Sequence, residues 1–442
     1  MKTLRELFQR QLWIPLPSGA LHITVRHWAL FIVWFILISF AFQTGRELFF
    51  RLAYLILGIE VLSFLWAAYS VSTFRLERKL ITPRTQVGRM AEERFLVHNT
   101  GRLSKIWIEI RDESELKSHH VSRVLNALRA GARWSWSVRT VCRRRGRFRL
   151  GPIMVSTGDP FGLFIFLRRM PDTLAAITIH PATVDLPNFA TPMGQLPGGD
   201  AVQRRTHHTT TNVAGTREYA PGDSFNRIHW LSTARMERLI VKEFELDPAA
   251  DVWIFLDMER AVQAGLWWED KWDSSDLSQL WITAHKDIRL PPNTEEYIVA
   301  IAASIAKFFL RQQRSVGFVG YGHQHEIVQP DRGERQLNRL LEVLAVLRAD
   351  GNIHFGHVLG VESARLGRNN TLIAITPSAE TSWVKSLREI KRRGLRTIAT
   401  MVDVETFGGH GDTQGAAAEL IASGIPTYVV REGDDLQAAL SR

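Results

Sequence analysis

A chain of 442 residues, 45% hydrophobic and 23% charged, has room for two or three domains and is too apolar to be disordered throughout. Its 55 Lys and Arg against 45 Asp and Glu leave a net charge of +10, which favours an anionic neighbour; no nucleic-acid module is present, so acidic lipid is expected and nucleic acid is not. A single cysteine, Cys142, excludes an internal disulfide framework and fits a reducing compartment.

Residues 1–73 read as a membrane anchor. Met1 to Arg26 is basic and partly amphipathic, with Lys2, Arg5, Arg10 and Arg26. Trp28 to Phe42 is apolar apart from Ser39, and its flanks from Val25 to Thr44 extend it to the ~20 residues a bilayer span needs. The polar link Thr44-Gly45-Arg46-Glu47 leads into a second apolar run, Leu48 to Val71, which contains Arg51 and Glu60. No small-residue cleavage site follows the first run, so the pair reads as a transmembrane helical hairpin rather than a signal peptide. Arg75, Arg78, Lys79, Arg84 and Arg89 follow the second span. Basic flanks on both sides put both termini in the cytoplasm and the link outside. Counted from Leu52, Glu60 falls near the bilayer centre, where a charge costs at least ~2.5 kcal/mol. It is expected to be neutral, or to face a partner helix or a second copy in a homo-oligomer.

Residues 74–187 read as a small β-rich, sandwich-like domain. Phe95 to Val97, Ile106 to Ile110, Val138 to Val141, Arg147 to Leu150 and Ile177 to His180 are strand candidates. Turn signals at Gly146, Gly151-Pro152 and Asp159-Pro160 separate them. The cluster Arg143, Arg144, Arg145, Arg147 and Arg149 reads as the solvated face of a strand. Residues 188–250 hold a linker and a charge-dense segment. The linker, Leu186 to Val213, is rich in Pro, Gly and Thr, and its His207-His208 pair lacks the further ligands a metal needs.

The charge-dense segment runs from Gly215 to Glu245. It contains Arg217-Glu218-Tyr219, then Pro221-Gly222-Asp223, which reads as a turn, then Arg227-Ile228-His229-Trp230, and Ala234-Arg235. This series resembles the signature of the bacterial domain-of-unknown-function 58 family, with Leu231 where that family usually has lysine. A second block is also similar to it: Arg145 to Pro152, followed by Asp159-Pro160-Phe161-Gly162-Leu163-Phe164. The resemblance implies a membrane-anchored bacterial protein with a von Willebrand factor A-like domain. It also implies a MoxR-type AAA+ ATPase as partner, because family members often accompany one. Ser224, His229 and Asp223 lie too close together in sequence to be presumed a triad. Arg217, Glu218, Asp223 and Arg235 are instead expected in a buried ion-pair lattice between the two soluble modules.

Residues 251–442 alternate strands and helices, which predicts a mostly parallel sheet flanked by helices. Val252 to Leu256, Val316 to Val319, Glu326 to Val328, Thr371 to Thr376, Arg396 to Val402 and Pro426 to Val430 are the strands. Ile298 to Leu310, Leu337 to Leu347, Trp383 to Arg393, Gly415 to Ala422 and Leu436 to Leu440 are the helices. The pattern is similar to a von Willebrand factor A fold. That fold commonly binds a divalent cation through Asp-x-Ser-x-Ser after its first strand. Here Asp257-Met258-Glu259-Arg260-Ala261 lacks both hydroxyls, so Asp257 and Glu259 make a degraded site and Mg²⁺ is not expected. An insertion carrying Trp267, Trp268, Trp272 and Trp281 among acidic residues is a candidate docking surface. No nucleophile, base and orienting group assemble from the sequence. The expected function is therefore that of a non-enzymatic, membrane-anchored scaffold without cofactor. The alternatives are a divalent-metal-dependent ligand-binding module and a hydrolase built on the signature.

Overall fold

The computed structural model describes residues 12–16, 19–116, 119, 121–189, 213–220, 225, 228–244, 251–265, 290–367 and 370–441. The chain divides into two compact units after Ala182.

The first unit opens with strands β1 (Leu12–Leu16) and β2 (Gly19–Ile23), ahead of helices α1 (Val25–Thr44) and α2 (Glu47–Ser72). Gly45 ends α1 in the left-handed region at φ 64°, and its N–H bonds to the Ala41 carbonyl at 2.9 Å. At ~1.5 Å per residue the helices are about 30 and 39 Å long, and both are long and apolar enough to cross a bilayer. Burial along them is inverted relative to a water-soluble core. Phe35, Phe42 and Leu62 are exposed, while Ala41, Ala53, Ser63 and Ala67 are buried. Small residues let the two backbones approach while the large side chains face outward.

Ten strands build the rest of this unit. They are β3 (Phe74–Leu80), β4 (Arg84–Gln86), β5 (Met90–Asn99), β6 (Lys105–Asp112), β7 (Arg123–Leu128), β8 (Arg133–Val141), β9 (Gly146–Leu150), β10 (Ile153–Gly158), β11 (Phe164–Met170) and β12 (Ala175–His180). A six-stranded sheet has the order β1-β2-β11-β10-β6-β7; two three-stranded sheets run β3-β5-β8 and β4-β12-β9. Phe74, Phe95, Val97 and Trp136 of β3, β5 and β8 share one core with Ile108, Ile110, Ile153 and Val155 of β6 and β10. Two sheet faces thus supply a single apolar layer.

Strand β2 pairs antiparallel with β11 from Ile23↔Phe164 to Gly19↔Arg168. The chain therefore enters and leaves the helical hairpin at the same end. The segment before α1 was expected to be a basic amphipathic stretch, and the pairing of β2 with a strand 140 residues onward was invisible locally. Glu60 faces the other helix of the hairpin, one of the arrangements expected of it. Its Oε1 lies 3.6 Å from Nδ1 of His27, in the first turn of α1, and the His27 ring is 5.0 Å from that of Phe164. The carboxyl lies where the hairpin meets the sheet, because α2 runs on for about 18 Å beyond it. There Phe64, Ala67 and Val71 pack over Leu21, Phe164 and Phe166. Arg145, expected on a solvated face, is fully buried, whereas Arg147 and Arg149 are exposed.

The carbonyl end of α2 is fixed by a buried cation. Lys105 Nζ donates to the Ser70 carbonyl at 2.7 Å and to Thr73 Oγ1 at 2.8 Å, where the helix dipole favours positive charge. Burial pulls this ammonium down to about 8. Lys105→Met is expected to cost about 1–3 kcal/mol by leaving these acceptors unpaired. Faster hydrogen exchange in the last turn of α2 checks this, and unchanged exchange refutes it.

In the second unit, β13 (Val213–Glu218) and β14 (Ile240–Phe244) form an antiparallel pair enclosing helix α3 (Trp230–Met236). The larger sheet comprises β15 (Val252–Leu256), β16 (Val316–Tyr321), β17 (His325–Asp331), β18 (Thr371–Thr376), β19 (Arg396–Val402) and β20 (Thr427–Val430). Its order is β17-β16-β15-β18-β19-β20, parallel except for β17. Helices α4 (Thr294–Arg311), α5 (Gly333–Val346), α6 (Phe355–Ser363), α7 (Thr381–Arg392), α8 (Thr413–Ala422) and α9 (Leu436–Leu440) accompany it. β15 and β18 are buried at every position, as strands covered on both faces must be. The helix α6 was not foreseen. Residues Thr183 to Phe189 lie along α4: Val184 N–H bonds to Ser304 Oγ at 3.0 Å and the Phe189 ring stacks on Tyr428 at 5.1 Å.

Candidate functional site

The signature segment is the β13–α3–β14 element. Ile228 bridges to Val241, and with Ile240 these are its buried side chains among the described residues. His229 precedes α3 and caps it: its Nδ1 receives the Ser232 N–H and lies 2.7 Å from Ser232 Oγ. That local bond occupies the imidazole as a helix cap. Tyr219 packs its ring 6.0 Å from Phe225 and donates its N–H to the Leu239 carbonyl.

Among the described residues, Arg217, Glu218 and Arg235 are exposed rather than buried in the lattice expected of them. Glu218 pairs with Arg238, and both side chains are more than half exposed. Arg217 donates to the Glu218 carbonyl at 2.9 Å, and Arg235 is exposed. A surface pair of this kind contributes little. Pro221, Gly222, Asp223 and Arg227 lie outside the described residues. What the element does present is apolar: Phe225 is 69% exposed, Trp230 66%, Leu231 67% and Met236 57%. No residue of α3 is buried.

A buried charge lattice does exist, in the first unit. Arg78 of β3 bonds Glu93 of β5 at 2.7 Å and Asp112 of β6 at 3.0 Å, and each of the three side chains is at most 2% exposed. His119 Nε2 lies 3.2 Å from Asp112, its Nδ1 2.7 Å from Thr140 Oγ1, and the guanidinium stands over the Phe95 ring. Burial alone would raise the Asp112 carboxyl, but hydrogen bonds from His119 and Ser114 and the Arg78 charge leave it below the ordinary range. The one usable signal in the sequence was the inward register of Arg78 among alternating residues of β3.

The second candidate is the carboxyl end of the parallel sheet, where the strand order reverses between β15 and β18. Asp257 is fully buried there. Its Oδ2 accepts from Thr376 Oγ1 at 2.5 Å and its Oδ1 from the Glu259 N–H at 3.1 Å. Ser378 N–H bonds back to Thr376 Oγ1, and Gln263 ties the Asp257 and Glu259 carbonyls to Thr294. Glu259, also buried, pairs with Nδ1 of the exposed His354 at 2.9 Å. Burial, with the charges of Glu259 and Glu380, pushes Asp257 up to about 7. Among the described residues no group of three or more His, Cys, Asp or Glu could hold a metal ion. Trp267, Trp268, Trp272 and Trp281 lie outside the described residues.

Among known proteins, an uncharacterized protein of Bacillus subtilis, YeaD, is 25% identical over 208 residues, 47% of this chain. The match spans 44% of that relative, less than half its length. Solved structures give only faint likenesses. The CARDB domain of a Pyrococcus furiosus protein is 11% identical, covering 24% of this chain and 86% of that domain at a TM-score of 0.18. A beta-glucosidase from Listeria innocua is 12% identical, covering 24% of this chain and 16% of that enzyme at 0.17. Scores this low carry no argument about fold or activity. A family model, described as a protein of unknown function, DUF58, matches residues 215–274, the stretch that begins with the signature element. That match and the Bacillus relative together support the DUF58 family for this chain.

Proposed function

We propose that this protein is a membrane-tethered scaffold that docks a MoxR-type AAA+ ATPase through the β13–α3–β14 element and catalyses no reaction itself. In this reading α1 and α2 cross the bacterial inner membrane as a two-pass hairpin. Both termini lie in the cytoplasm, the β-rich unit is a sandwich-like spacer, and the second unit is a von Willebrand factor A-like domain. One observation carries the proposal. The stretch matched by the family model is also the one that turns Phe225, Trp230, Leu231 and Met236 outward. Large apolar side chains gathered on one short element are a typical protein-docking surface, and Trp is enriched where binding energy concentrates.

Affinity capture from detergent-solubilised membranes, with and without nucleotide, tests this. The native chain is expected to recover an AAA+ ATPase. Trp230→Ala combined with Leu231→Ala should weaken recovery at least ~30-fold, the equivalent of one hot-spot residue at ~2 kcal/mol. Recovery that is absent in the native chain, or undiminished in the double variant, refutes the proposal.

The second reading is a cation-dependent ligand site at Asp257. The hydroxyl of Thr376 favours it, being a hard oxygen donor of the kind Mg²⁺ takes and already on Asp257. The fit is poor in number: one carboxylate, already bonded to Thr376, with Glu259 committed to His354. Calorimetry with millimolar Mg²⁺ decides it, and no heat of binding ends it.

A further inference from the structure

The block Asp159-Pro160-Phe161-Gly162-Leu163 closes the β10–β11 turn, and nothing in the scaffold reading uses it. The Asp159 carboxylate is buried and accepts the N–H groups of Phe161, Leu163 and Phe164, each at 2.8 Å. Gly162 takes φ 70°, in the left-handed region. The turn is thus held from within, and the 56% exposure of Phe161 is a built feature of it.

The same turn is fastened to the start of α1. Thr24, the residue before the helix, bonds the Leu163 carbonyl through its N–H at 3.1 Å and the Gly162 carbonyl through Oγ1 at 2.8 Å. Arg26, in the first turn of α1, lays its guanidinium on the turn, donating from Nη1 to the Phe161 carbonyl at 3.2 Å. A side chain at position 162 would meet that nitrogen at 2.8 Å, so glycine keeps the space the guanidinium occupies. Arg26 is exposed, and one contact leaves most of its donor fork facing solvent. Beside it Val25 and Trp28 are exposed and begin the outward apolar surface of the hairpin.

We infer that this turn and Arg26 form a clamp for the headgroup of an anionic phospholipid. Phe161 enters the boundary between headgroups and acyl chains, where aromatic rings are favoured, and Arg26 pairs with lipid phosphate. The occupant follows from continuity and charge: the apolar surface of α1 runs directly into Phe161, and the cation stands at their junction. The clamp sets the height of the first unit above the bilayer. The inference rests on α1 and α2 crossing the membrane.

The test uses the full chain in nanodiscs of phosphatidylcholine with or without phosphatidylglycerol. Cys142, the one native thiol, is fully buried and its thiol is pushed up to about 12 by burial, so it stays unlabelled. A nitroxide on Phe161→Cys should show oxygen over water-soluble relaxer accessibility typical of the headgroup boundary. It should move outward when phosphatidylglycerol is omitted. Adding Arg26→Gln should abolish that lipid dependence. A water-exposed label at 161, or no response to anionic lipid, overturns the clamp. A second label on Phe35→Cys, on the exposed mid-surface of α1, separates the two claims. If 35 reports acyl chains while 161 reports water, only the clamp fails; if 35 reports water, the membrane reading fails with it.

Discussion

Arg78→Met is expected to unfold the first unit of this protein and leave the second folded. Removing the guanidinium strands Glu93 and Asp112 as buried carboxylates, each at most 2% exposed. Breaking such a pair from one side costs about 3–5 kcal/mol, a large part of the stability of any domain. The loss is structural as well as electrostatic, since Arg78, Glu93 and Thr140 sit in the β3-β5-β8 sheet and Asp112 in the six-stranded one. Hydrogen exchange on the full chain should show β5 and β6 deprotected, with β15 and β18 unchanged. Neutralising the stranded acids in the same chain, Glu93→Gln with Asp112→Asn, should recover part of the loss. The pH dependence has a definite sign. The Asp112 carboxyl is lowered in the folded state, so its contribution is present above its unfolded value of ~3.9 and is lost as pH falls through the folded value. Undisturbed protection of β5 in the Arg78 variant would mean the lattice is dispensable.

The lattice also shows where sequence reasoning stops. Concentrated charges around Arg217 to Arg235 suggested burial, yet the described ones, Arg217, Glu218 and Arg235, are exposed, whereas the buried set is scattered over β3, β5, β6 and a loop. Charge density in sequence measures solubility of a face; charge burial depends on strand pairing, which brings Arg78 opposite Phe95 and near Asp112. The same limit hid the β2–β11 pairing. Patterns that depend only on near neighbours were legible. The apolar runs gave α1 and α2, with the link at Gly45 and Arg46. The uninterrupted Val252 to Leu256 and Thr371 to Thr376 runs gave the central parallel strands. The signature residues pointed to the family whose model matches residues 215–274, although not to what their side chains face. Thr376 escaped notice because a hydroxyl at a strand end is common, and only the 3-2-1-4 order makes this one the neighbour of Asp257.

That neighbour sets up the second large effect. The second unit should lose stability as pH rises from about 4 to about 7, and Asp257→Asn should abolish the loss. Burial pushes the folded carboxyl up to about 7, reinforced by the charges of Glu259 and Glu380, while an unfolded aspartate stays near ~3.9. Below the unfolded value both states carry the proton and stability is full. Between the two values the unfolded chain has released its proton and the folded one has not, so each step up in pH favours unfolding. Over about three units this amounts to something on the order of 4 kcal/mol. Asparagine keeps the shape, accepts the Glu259 N–H and never ionises. The variant should therefore match the native chain below about pH 4 and exceed it near about pH 8, measured as the exchange protection of β15 and β18. A bound divalent cation would reverse the native slope, because it favours the ionised carboxylate, and would do nothing for asparagine. Loss of protection at both pH values in the variant would show that Asp257 is ionised in the fold and that its negative charge, not its shape, organises the sheet end.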